Sequence, residues 1–130
     1  MFDGASVLKK LRLAKTHKIL IVNAPAGFTK LLADVAYDTS YKPANKGSYD
    51  YVQVFVASYD ELVKFLKQVE GAGKHDCLFW ACYPKVTGTI KSDLKRELVW
   101  QALGTIGLDA VAQVALDDTW SALRGRPFVR

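Results

Sequence analysis

The stretch Ile19-Leu20-Ile21-Val22-Asn23-Ala24-Pro25-Ala26-Gly27-Phe28 decides the fold. Four apolar residues without alternation are what a strand covered on both faces requires. A turn of Asn, Pro and Gly types follows at once. Beyond it Phe28, Leu31, Leu32 and Val35 recur at helical spacing, so the chain reads as strand, loop and helix, the repeating unit of a parallel sheet.

The same alternation recurs on the C-terminal side. Tyr51 to Val56 is β-branched and aromatic, and Ser58-Tyr59-Asp60-Glu61 then forms a capping box with Ser58 as N-cap. The helix it opens places Leu62, Val63, Leu66 and Val69 inward and ends at Gly71-Ala72-Gly73. Cys77 to Cys82 is another buried strand. A loop of Lys85 to Lys91 leads to Ser92 as an N-cap, and Leu94, Leu98, Ala102 and Ile106 mark the inner face of the following helix. A weak additional strand is expected at Thr39 to Lys42, closed by Pro43.

The ends are simpler. Val7, Leu8 and Leu11 share one face of a short amphipathic helix whose lysines point outward. Val111 to Leu116 and Thr119 to Leu123, joined by Asp117-Asp118, read as an antiparallel pair. The expected fold is therefore α/β and doubly wound, a mostly parallel sheet with an antiparallel C-terminal edge, in one domain spanning 1–130.

Composition narrows the classes of function. The chain has 130 residues, half of them apolar and 24% charged, which is ordinary globular usage. Its longest apolar run, Cys77 to Tyr83, is too short to cross a bilayer, so no membrane association and a cytoplasmic location are expected. Cys77 and Cys82 lie five apart in one strand and so face opposite ways, unable to bridge or chelate together. Residues 1–18 hold four of the five net positive charges. Lacking interleaved aromatics, they read as a solvated face, and nucleic acid is disfavoured as a partner.

A site in such a sheet lies outside the carboxyl ends of the strands. That rule selects Asn23 to Gly27, Ala57 to Tyr59 and Tyr83 to Thr89. The candidate ligand-binding residues are Asn23, Gly27, Ser58, Lys85, Thr87 and Gly88: hydrogen-bonding groups, a cation, and glycines that admit a close backbone. A small anionic or nucleotide-like ligand suits them. His17 and His75 precede strands, at the opposite end of the sheet, so no catalytic residue is assigned, and neither metal nor cofactor is called for. A self-associating tail, forming a homodimer through an exposed edge or Trp120, is the second reading. Trp80, Trp100 and Trp120 otherwise read as packing residues.

Asn23-Ala24-Pro25-Ala26-Gly27-Phe28, Trp80, Pro84-Lys85, Asp93-Leu94 and Asp117-Asp118-Thr119-Trp120-Ser121 together resemble a family of short bacterial proteins of unknown function. Tyr83 stands where that family more often has tryptophan. The resemblance implies a doubly wound domain and brings no substrate or catalytic residue. More distantly, Ser48 to Val52 and Gly71 to Lys74 are similar to strand openings of S-adenosylmethionine-dependent methyltransferases, which makes a divergent methyltransferase a third reading. Those enzymes have a Gly-x-Gly turn after the first strand and a carboxylate after the second. Here the turn is Asn-Ala-Pro-Ala-Gly, and Tyr41-Lys42-Pro43 supplies no acid.

Overall fold

The computed structural model describes residues 4–13, 18–32, 35–85, 90 and 92–127. Five strands form one sheet in the order β1-β2-β3-β5-β4, from β1 (Ile19–Val22), β2 (Tyr49–Phe55), β3 (Gly73–Pro84), β4 (Leu108–Ala115) and β5 (Trp120–Pro127). β1, β2 and β3 are parallel neighbours. β5 runs antiparallel between β3 and β4, so β4 points the same way as the first three. This is the expected mostly parallel sheet with antiparallel pairing at its C-terminal edge, the antiparallel strand lying one place in from that edge.

Helices cover both faces. On one, α1 (Gly4–Leu11) and α2 (Ala26–Thr29) bury Val7, Leu11 and Phe28 against Ile21, Tyr51, Trp80 and Ala122. On the other, α3 (Tyr59–Val69) and α4 (Arg96–Gly104) bury Leu62, Leu66, Val99 and Leu103 against Val52, Val54, Ala81 and Leu123. Strand side chains alternate between the two layers, as the pleat requires. Cys77 packs on the α3 side and Cys82 on the α1 side, and neither forms a disulfide.

Several expectations need correction. Thr39 to Lys42 forms no strand: Asp38 makes a single parallel bridge to Leu20, and a 3-10 turn follows at Pro43–Asn45. Pro43 lacks the N–H a ladder needs, and the chain returns to the amino end of the sheet, where the Gly47 N–H donates to the Gly71 carbonyl at 2.8 Å. The helix after β1 is one turn long and tightens into a 3-10 segment at Lys30–Leu32.

The fourth helix starts at Arg96, because Ser92 spends its hydroxyl on the Leu94 N–H (3.0 Å) rather than on a helix terminus. Its buried face is Val99, Ala102 and Leu103, with Leu98 only partly covered. Trp100 is 44% exposed; its indole N–H donates to the Asp109 carboxylate at 2.9 Å, and Arg96 lies 5.6 Å from its ring centroid. His75 is inside β3, near its amino end, because that strand begins at Gly73; His17 lies outside the described residues. Among the described residues no helix is long and apolar enough to cross a membrane.

Candidate functional site at the carboxyl rim

The turns after β1, β2 and β3 open on one rim because the three strands are parallel and in regular register over their carboxyl halves, the shift between β2 and β3 falling at Tyr49 to Tyr51. Val22 lies opposite Val54, and Phe55 opposite Cys82. Two hydrogen bonds extend these ladders past the strand ends. The Asn23 Nδ2 donates to the Phe55 carbonyl at 2.8 Å, and the Val56 N–H donates to the Cys82 carbonyl at 3.0 Å.

Asn23, not Gly27, makes the turn. Its φ of 62° is left-handed, a region asparagine tolerates better than other residues carrying a Cβ. Gly27 sits on the exposed side of α2, one residue into the helix, and its φ is not positive.

Ser58 caps α3 as the sequence implies: its Oγ accepts from the Glu61 N–H at 3.2 Å. Glu61 reaches back to the Ala57 N–H at 2.7 Å, one residue earlier than a regular capping box. Asp93, 34 residues away in sequence, accepts from the Tyr59 N–H at 2.9 Å. The dipole end of α3 thus already has a carboxylate in front of it.

Lys85 follows β3, and its N–H donates to the Thr119 carbonyl at 2.7 Å. Thr119 and Trp120 are shaped by Asp117, whose Oδ1 accepts from their N–H groups at 2.8 and 2.7 Å. Trp120 then packs edge-on against Phe55, 5.3 Å between centroids, and Phe55 lies 5.0 Å from Phe28. The scattered motif residues therefore meet in space: Asn23, Phe28, Lys85, Asp93 and Asp117 to Trp120 all build this rim.

Of the six candidate residues, the structure brings Asn23, Ser58 and Lys85 to the rim and puts Gly27 beside it on α2; Thr87 and Gly88 lie outside the described residues. The uncommitted chemistry is now explicit. Asn23 keeps its side-chain carbonyl oxygen, Ser58 its hydroxyl proton, and Lys85 its ammonium group.

Sequence reasoning missed Asp38 and the cap role of Asp93. The Asp38 main chain brackets β1, donating to the Ile19 carbonyl at 2.8 Å and accepting from the Ile21 N–H at 2.9 Å. Its carboxylate accepts a short hydrogen bond from the Tyr49 hydroxyl. Burial, then the neighbouring Asp38, pushes the Tyr49 phenol up to about 12. The carboxylate beside the first strand is thus present, but a buried tyrosine holds it.

No family model and no curated protein matches the chain. Solved structures do. An S-adenosylmethionine-dependent methyltransferase from Aquifex aeolicus is similar with a TM-score of 0.62 at 14% identity, covering 95% of this chain and 89% of that one. The chain has the methyltransferase fold. The B. subtilis tRNA methyltransferase TrmK gives a TM-score of 0.61 at 6% identity, over 98% of this chain and 67% of its own. A Burkholderia thailandensis 1,6-didemethyltoxoflavin-N1-methyltransferase gives 0.57 at 9% identity, over 95% and 76%. At such identities the likeness is one of architecture, and the turn after β1 in this chain reads Asn23-Ala24-Pro25.

Proposed function

We propose that this chain is a divergent, reduced methyltransferase-like protein that takes an S-adenosyl or similar nucleotide-like ligand at the carboxyl rim. The observation that carries the reading is the antiparallel β5 inserted between β3 and β4, in a sheet whose first three strands end together. The similar structures support the same reading, since several are methyltransferases, one of them solved with S-adenosylhomocysteine bound.

The rim fits the amino-acid end of such a ligand. Lys85 supplies a cation for its carboxylate, and Asn23 and Ser58 supply an acceptor and a donor for its ammonium and hydroxyl groups. Asp38 offers no acid for the ribose end, because its carboxylate lies at the amino end of β2, bonded to the Tyr49 hydroxyl. Binding is therefore what the rim's own groups argue for, and no methyl-transfer step follows from them.

Isothermal titration of the full chain with S-adenosylmethionine, S-adenosylhomocysteine and ATP tests this reading, with Lys85→Ala as the comparison. Saturable heat from the two S-adenosyl compounds, weakened in Lys85→Ala, is the expected result; no heat from any of the three removes it. Incubation with methyl-labelled cofactor and cell extract then separates an enzyme from a non-catalytic binder of a small anionic ligand, the reading that Asp93 favours by setting one of the chain's own carboxylates at the α3 terminus.

Self-association is proposed through the exposed edge of the antiparallel tail and not through Trp120. Trp120 is only 9% exposed, against Phe55, whereas β4 is the sheet's edge and its Val111 is 49% exposed. A dimer through β4 is expected to show in light scattering, and to dissociate when Val111 is replaced by lysine.

A further inference from the structure

The face of the sheet under α1 carries a group of arginines that the rim does not use. Trp80 is the hinge of the arrangement: its indole N–H donates to the Leu11 carbonyl at 3.2 Å, pinning the end of α1 to β3. Arg12 follows at once with a left-handed φ of 61°. In the sheet, Arg124 of β5 is the direct register partner of Trp80, and Arg126 lies two residues further on the same side of the strand. Residues separated by more than a hundred positions thus come to one cationic group on the α1 face of the sheet, level with the middle of β3.

The group makes no ion pair among the described residues: Asp109, the register partner of Arg126, accepts from the Trp100 indole N–H instead. The Arg124 Nε is buried with no hydrogen-bond partner, and no ion pair reaches Arg12, Arg124 or Arg126. Burial, together with the charges of Arg12 and Arg126, pushes the Arg124 guanidinium below its ordinary value. Natural proteins seldom leave a buried donor unmade, because the desolvation cost is not recovered. Three arginines on one face, one with an orphaned donor, suit an oxyanion, and the planar fork of arginine suits phosphate in particular.

We propose that Arg12, Arg124 and Arg126 form a phosphate-binding site, separate from the carboxyl rim, that accepts a phosphate or phosphodiester group. Arg124, half-buried with its Nε covered, is the anchor, and the exposed Arg12 and Arg126 close over the anion from the end of α1 and from β5. The lysines Lys9 and Lys10 on α1 add to the attraction at longer range.

Two probes distinguish the sources of the phosphate: inorganic pyrophosphate, and a short single-stranded RNA oligonucleotide. Each is titrated into the full chain and into Arg12→Gln, Arg126→Gln, Arg124→Gln and Arg124→Lys, with folding checked by circular dichroism. Binding of pyrophosphate, weakened at least about tenfold in Arg12→Gln and Arg124→Gln and partly retained in Arg124→Lys, assigns a small phosphate ligand. Binding of RNA whose salt slope falls by about one for each arginine removed assigns a phosphodiester. If Arg124→Gln does not fold, the two exposed variants decide. No binding of either probe, binding that Arg12→Gln and Arg126→Gln leave unchanged, or binding only to phosphatidylglycerol vesicles overturns the proposal. A wild-type affinity for S-adenosylmethionine in these variants keeps its failure distinct from that of the rim.

Discussion

Asn23 and Phe55 are joined across the ends of two parallel strands by a 2.8 Å side-chain-to-carbonyl hydrogen bond, made from a left-handed backbone position. The residue therefore does two separable things: it satisfies the Phe55 carbonyl where the ladder stops, and it tolerates the turn that sends the chain into α2.

Replacing Asn23 separates these roles. Asn23→Gly loses the hydrogen bond alone, a cost of about 1 kcal/mol. Asn23→Ala also strains the left-handed position, adding about 1 to 2 kcal/mol. Urea denaturation is expected to rank wild type above Asn23→Gly and Asn23→Gly above Asn23→Ala. The reverse order of the two variants would show that the turn carries no strain.

The capping of α3 gives a second test. Ser58→Ala removes the acceptor from the Glu61 N–H and is expected to cost about 1 kcal/mol. Ser58→Asp, which keeps an acceptor at the cap, is expected to recover most of that stability in the same denaturation experiment.

A third concerns the polar chain buried under α1. The Tyr51 hydroxyl donates to the Gln53 Oε1 at 2.6 Å, and the Gln53 Nε2 donates to the Cys82 Sγ at 3.2 Å, all three residues being fully buried. Gln53→Leu strands the Tyr51 hydroxyl and is expected to cost about 2 to 3 kcal/mol. The double variant with Tyr51→Phe should be more stable than Gln53→Leu alone, a coupling that a double-mutant cycle measures.

Burial pushes the Cys82 thiol up to about 12 from its ordinary 9, and the Tyr49 phenol up to about 12 from 10. Both groups stay protonated in the folded chain after their unfolded counterparts have ionised. The Cys82 contribution is complete below pH 9 and that of Tyr49 below pH 10, and both are lost as pH rises towards 12, at up to about 1.4 kcal/mol per pH unit for each group. Stability measured between pH 8 and 10 should fall above pH 9, and should fall less steeply in Cys82→Ala. Equal slopes would contradict the assignment to Cys82.

Much of the fold was legible because β1, β2 and the second half of β3 are covered on both sides, which leaves a run of apolar residues no loop would carry. Ser58 and Glu61 were legible because capping is local. The bridge at Asp38 was not: one residue of pairing leaves no periodicity. The exposed Trp100 was misread because its apolar neighbours Val99 and Leu103 point the other way around α4. β5 continues through Arg124-Gly125-Arg126, polar positions that hide a strand, and for the same reason the arginine group was invisible. Asp93 at the α3 terminus depends on a contact across 34 residues, for which sequence spacing holds no signal.

The central claim is that a ligand of the S-adenosyl class sits where β1, β2 and β3 end. Amide chemical-shift mapping by NMR, with S-adenosylhomocysteine titrated into the full chain, tests it most directly. The account predicts saturable shifts concentrated at Asn23, Ala24, Ala57, Ser58 and Lys85, with Tyr49, Gly71 and Gly73 at the amino end unmoved. Shifts centred on those amino-end residues, or none at saturating ligand, would contradict it.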